Sequence, residues 1–261
     1  MTPGVITLPD GTLEMAWWGD RSSAAPALVL LHEGLGCVEL WRDVPARLHD
    51  LTGCPVFAYS RFGYGRSDPV PLPRPLDYMQ REAAETLPRV LRAADIKRLV
   101  LIGHSDGGSI AAAYAGRAPA EPRLLGLVTI AAHFFVEDLN IRSIEQIGRD
   151  YDTTDLRARL GRYHTHVDVA FQGWHGAWLD PGFRAFDLTE ELRGIRVPVL
   201  GLQGADDPYG SEAQLTCMRT HVAAPVETRL IPGAKHAPHL EAKPATLAAI
   251  ADFVAAINPR V

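Results

Sequence analysis

Six short runs of Val, Leu and Ile lie at residues 27–31, 55–59, 98–102, 125–130, 197–202 and 226–231, and each gives way within three residues to Gly, His or Ser. Their hydrophobicity is continuous, the pattern of strands buried on both faces as in a parallel sheet. Amphipathic segments with helical spacing separate them, at 39–50, 77–94, 105–117, 211–221 and 244–257. Strand alternating with helix predicts an α/β chain with a doubly wound, mostly parallel sheet. Residues 5–8 and 13–18, around the Pro9-Asp10-Gly11 turn, add an N-terminal antiparallel hairpin and bring the expected sheet to eight strands.

The rhythm breaks between 137 and 194. No buried strand is legible there, only helical stretches at 141–151, 154–162 and 167–179, with Phe171, Trp174, Trp178, Phe183 and Phe186 in and after them. We read 137–192 as a helical cap inserted after the sixth strand, with 1–136 and 193–261 forming the core. The insertion has too few apolar residues to fold alone, so its aromatic faces must pack on the core and roof a site. A chain of 261 residues, 47% of them hydrophobic, suffices for one such core and not for two independent domains.

The run that ends at Ile102 passes directly into Gly103-His104-Ser105-Asp106-Gly107-Gly108, a G-x-S-x-G pattern followed by helix formers. A strand that reverses sharply into a helix strains the turning residue. A Cβ two positions to either side would collide across the turn, hence glycine at 103 and 107. The turn exposes the Ser105 hydroxyl and sets the N–H of Asp106 beside it at a helix N-terminus. An ordinary N-capping serine is the bland alternative. It loses ground because other parts of an acyl-transfer site follow in the expected order.

Those parts resemble the α/β-hydrolase fold superfamily, in its capped, small-molecule serine hydrolase form, over nearly the whole chain. Residues 199–208 resemble the family's strand–G-x-x-D–Pro acid turn, which implies Asp207 as the acid, with Asp206 as the neighbouring alternative. Residues 230–241 resemble its G-x-x-H ending, which implies His236 at the site and leaves His239 to the start of the last helix. An imidazole is the side chain whose pKa suits proton removal from a serine near neutrality, and a carboxylate fixes its tautomer and stabilises the imidazolium. Leu31-His32-Glu33-Gly34-Leu35-Gly36 resembles the His-Gly-rich loop. It implies an oxyanion hole built from the N–H groups of Gly34 and Asp106, with Leu35 the register alternative.

Two departures stand out. Glu33 occupies a position where glycine is usual, and Asp106 one where a neutral residue is frequent. A carboxylate turned toward a developing oxyanion would raise its energy, so both are expected to turn away into hydrogen bonds or solvent. Residues 59–69 resemble the D-x-R-G-x-G-x-S turn, with a structural role. Trp174 and Trp178, four apart on one helix face, serve as cap core or pocket wall, and with His133 they are the candidate substrate-pocket residues.

His164-Thr165-His166 invites a metal reading, but its imidazoles diverge on a helix and no ligand set completes a coordination sphere. No metal and no cofactor are expected. Cys37, Cys54 and Cys217 are too few and scattered for a disulfide framework or a zinc site; they read as buried small hydrophobes, with Cys37 reactive if exposed. The net charge of −5, without a basic patch, argues against nucleic acid or an anionic membrane as partner. No leader or bilayer-length apolar run is legible, so a cytoplasmic protein is expected. Its expected partner is a small-molecule substrate, with a homodimer the one assembly kept open.

The predicted function is hydrolysis of an ester, thioester or lactone of a small apolar acid, through Ser105, His236 and Asp207 and an acyl-enzyme. The same residues suit C–C bond hydrolysis of a vinylogous diketone, or a cofactor-free perhydrolase or oxygenase. A slow or non-catalytic small-molecule receptor is the alternative from a different class.

Overall fold

The computed structural model describes residues 1–117 and 121–258. Strands β1 (Thr2–Leu8) and β2 (Gly11–Trp18) form the antiparallel hairpin. The remaining strands are β3 (Ala27–Leu31), β4 (Val56–Tyr59), β5 (Arg98–His104), β6 (Arg123–Ile130), β7 (Val199–Gly204) and β8 (Val226–Ile231). They join in one sheet in the order β1-β2-β4-β3-β5-β6-β7-β8, antiparallel as far as β4 and parallel beyond it.

Alternate residues of the buried strands feed opposite faces, as the pleat requires. Val29 and Leu31 enter one apolar cluster, with Ile110, Leu192 and Met218; Leu28 and Leu30 enter the other, with Leu48, Ile250 and Phe253. Helices α1 (Val44–Thr52), α2 (Tyr78–Arg81), α3 (Leu87–Ala93) and α4 (Asp106–Gly116) connect the first strands. The single helix expected at 77–94 is divided, because a π-helical turn at Glu82–Thr86 separates α2 from α3. Pro88, in the first turn of α3, has no N–H to extend the ladder backward. The helix expected at 39–50 is likewise a 3-10 turn (Glu39–Trp41) followed by α1, with Arg42 at φ 55° between them. Strand β8 is a sheet edge, and of its residues only Ile231 is fully buried, in contrast to the doubly buried run expected there.

Between β6 and β7 lie α5 (Asp138–Thr153), α6 (Leu156–Leu160), α7 (Val167–Leu179), a 3-10 turn (Pro181–Ala185) and α8 (Thr189–Gly194). Helix α8 crosses the boundary drawn between 192 and 193. It packs on α4 so closely that a Cβ at Gly194 would run into the carbonyl of Gly116. The aromatic residues of this segment pack on each other and on the core: Phe183 lies 4.8 Å from Trp178 and 5.0 Å from Phe186 between ring centroids, and stacks on Tyr78 of α2. Helices α9 (Ala213–His221), α10 (Pro238–Glu241) and α11 (Lys243–Ile257) complete the chain. Among the described residues no helix is long and apolar enough to cross a membrane.

Candidate active site

Ser105 sits where β5 turns into α4, with φ 52° and ψ −121°, a conformation strained for any residue with a side chain. The turn is feasible because of its glycines. A Cβ at Gly103 would meet the carbonyl of Gly107, and a Cβ at Gly107 would meet the carbonyl of Leu31. Asp106 opens α4, so its N–H belongs to the helix turn that has no carbonyl one turn back.

The structure brings Ser105, His236 and Asp207 into one line. His236 Nε2 lies 2.9 Å from Ser105 Oγ, and its Nδ1 lies 3.0 and 2.9 Å from the two Asp207 carboxylate oxygens. Asp207 also accepts from the Tyr209 N–H at 2.8 Å and from Gln203 Nε2. Burial alone would raise the Asp207 pKa; the His236 hydrogen bond and charge, with the Tyr209 N–H, outweigh it and hold the carboxyl below its ordinary value. Asp206 is exposed. His239 is buried behind the site, with its ring 4.5 Å from that of His104.

Above Ser105 lies a cavity of about 180 Å³. Its walls include Gly34, Leu35, Asp106, His133, Trp174 and Trp178, all singled out by the sequence, together with Glu33 and His236. Asn140, Ile144, Ile147 and Tyr209 also line it and were not anticipated. Asn140, Ile144 and Ile147 stand on one face of α5, and their spacing of three and four was the available signal. A larger depression of about 600 Å³, lined by Trp17, Arg21 and Lys97, lies at the opposite ends of the strands and contains none of these residues. We take the smaller cavity as the site because Ser105 opens into it.

Both unusual carboxylates are held by donors. Asp106 is 1% exposed and accepts from the Tyr78 hydroxyl at 2.5 Å and from Trp178 Nε1 at 3.3 Å. Burial pushes its pKa up, and the positive charge of Arg61 with these two donors offsets this only in part. Glu33 Oε2 lies 3.4 Å from His104 Nδ1. Burial would raise Glu33 too, but the His104 hydrogen bond and charge hold it well below the carboxylate range.

The loop that carries Gly34 is clamped from behind. His32 Nδ1 donates to the Glu33 carbonyl at 2.7 Å while its Nε2 accepts from the Arg61 N–H at 3.0 Å. The Arg61 guanidinium donates to the carbonyls of His32 and Glu33. His164 reaches the same loop from the segment between β6 and β7: its Nε2 donates to the Leu35 carbonyl, and its Nδ1 accepts from the Gly65 N–H, each at 2.9 Å. Both of its nitrogens are thereby occupied. Among the described residues no cluster of His, Cys, Asp and Glu has the make-up of a metal site. The three cysteines are buried, and burial pushes the Cys37 thiol up to about 12, which leaves it unreactive at neutral pH.

With this geometry in view, residues 26–172 match the family model described as alpha/beta hydrolase fold, and the chain belongs to that family. It is similar to a non-heme chloroperoxidase of Streptomyces lividans, 29% identical over 247 residues, covering 80% of this chain and 85% of that protein. The human serine hydrolase BPHL is 27% identical over 192 residues, covering 71% of this chain and 64% of that protein. Among solved structures, the enol-lactonase from Burkholderia xenovorans LB400 superposes with a TM-score of 0.73 at 20% identity, over 96% of this chain and 99% of that one.

Proposed function

We propose that the protein is a serine hydrolase acting on an ester, thioester or lactone of a small apolar acid. The observation that carries this reading is the hydrogen-bond line from Asp207 through His236 to Ser105 at the floor of a cavity. Ser105 Oγ attacks the acyl carbon while His236 Nε2 takes its proton. The oxyanion is received by the N–H of Asp106 and that of Gly34, with Leu35 as the register alternative. His236 returns the proton to the leaving group, and a water activated by the same imidazole hydrolyses the acyl-enzyme. Helices α5 to α8 act as the cap.

The size and lining of the cavity narrow the substrate. It is small, and no lysine or arginine is among its lining residues. A diketone acid would bury its carboxylate there unpaired, at a cost of several kcal/mol, which weighs against C–C hydrolysis. Perhydrolysis, in which peroxide replaces water on the acyl-enzyme, draws support from the name of the Streptomyces relative. A series of p-nitrophenyl esters from acetate to octanoate, run beside a ring-fission dienoate, tests the reading. Turnover of the short esters that falls with chain length is expected; turnover of the dienoate alone would overturn it.

A further inference from the structure

The triad leaves two polar side chains beside it unexplained. His104 precedes the nucleophile, and its ring lies 5.1 Å from that of His236. Its Nε2 donates to the backbone carbonyl of His236 at 2.8 Å, and its Nδ1 faces Glu33 Oε2 at 3.4 Å. Both nitrogens therefore look at oxygen acceptors. The carbonyl at Nε2 takes a donor from the ring, and an anion facing Nδ1 polarises the ring and strengthens that hold on the carbonyl. Glu33 is that anion, in a position where the family loop usually has no side chain at all.

The surroundings make this pairing specific. Among the described residues the backbone carbonyl of His236 accepts a hydrogen bond from His104 Nε2 alone, and His236 stands on a loop between β8 and α10. Glu33 belongs to the loop that carries Gly34. The pair thus ties the segment bearing the oxyanion donor to the segment bearing the base, across the strand that bears the nucleophile. The other titratable groups that face it are His32 on the Glu33 side and His239 behind His104, and burial keeps both of these imidazoles neutral. Asp207 and His133 flank His236 on its far side.

We propose that Glu33 and His104 are positioning residues for the base. They hold the His236 backbone so that its imidazole stays aligned between Asp207 and Ser105. The inference rests on the serine hydrolase reading, and its test reads Ser105 directly. The rate at which a fluorophosphonate labels Ser105 reports its activation whatever the natural substrate is. Glu33→Gln is expected to slow labelling about tenfold and to lower kcat on a short ester with KM unchanged, while the thermal midpoint moves by only a few degrees.

His104→Gln supplies the second variant. Its amide nitrogen can take the place of Nε2 and donate to the His236 carbonyl without needing an anion, so labelling within about threefold of wild type is expected. Adding Glu33→Gln to it should then cost less than twofold. Labelling of Glu33→Gln at the wild-type rate would overturn the inference alone, as would an equal loss from Glu33→Gln in both backgrounds. A wild-type protein that does not label would overturn the functional reading and the inference together.

Discussion

Glu33 and Asp106 both line one small cavity, and contrasting means hold them there. The Asp106 wall is dry: the carboxylate is fully buried between Tyr78 of α2 and Trp178 of α7, and its charge is disfavoured. The Glu33 wall is ionic. Its side chain is 30% exposed, it pairs with His104, and its charge is favoured. Two residues of like chemistry, one next to a proposed oxyanion donor and the other supplying one from its own N–H, therefore have different tasks. Asp106 fastens the segment between β6 and β7 to the turn that carries Ser105, and Glu33, as proposed, orders the loops around His236.

Acid titration should separate the two walls most strongly. His133, 3% exposed, has its pKa lowered to about 4 from an ordinary 6.5 by burial and by His236. The unfolded chain thus takes up the proton first as pH falls. This stability is complete above about 6.5 and diminishes toward pH 4, by about 3 kcal/mol for this group alone. His32, His164 and His239 are shifted the same way and add to the loss. Glu33, held below its ordinary 4.5, contributes stability that is lost as pH falls further. Asp106, raised above 3.8, has the opposite sign: the folded state binds its proton more readily, which moderates the acid loss. Urea midpoints from pH 7.5 to 3.5 should show Glu33→Gln flattening the acid limb and Asp106→Asn steepening it. Identical limbs would remove the distinction.

Truncation is the next largest effect. Asp106→Ala leaves the Tyr78 hydroxyl and Trp178 N–H buried without an acceptor, and should cost about 2–3 kcal/mol of unfolding free energy in urea. Glu33→Ala, at a partly exposed side chain, should cost less than that. Equal losses would mean that the walls are not differently built. The smallest effect expected is on chemistry at the dry wall. Asp106→Asn keeps the backbone N–H in place, so kcat on a short ester should stay within about tenfold; a thousandfold loss would show the charge itself acting at the reacting carbonyl.

The same contrast describes what the sequence revealed. The strands were legible because continuous apolar runs have few alternatives to a buried parallel sheet, and the turn at Ser105 because steric crowding at Gly103 and Gly107 leaves a local signature. β8 misled because Val and Leu at its ends masked the alternation of an edge. The partners of Glu33 and Asp106 were not legible, since His104, Tyr78 and Trp178 lie 28 to 72 residues away in the chain and meet them only through tertiary packing. His164 is instructive. Its neighbour His166 suggested a metal pair, yet the structure gives His164 two backbone partners on different loops, Leu35 and Gly65, and His166 an N-cap position at α7.

The proposed nucleophile that acquires the acyl group is Ser105, aligned by His236 and Asp207. Its most direct test is mass spectrometry of the protein after brief exposure to a fluorophosphonate or a short activated ester, with Ser105→Ala as the companion. A single adduct is expected on the peptide containing Ser105, and neither adduct nor ester hydrolysis in a folded Ser105→Ala protein. Undiminished hydrolysis by that variant would contradict it.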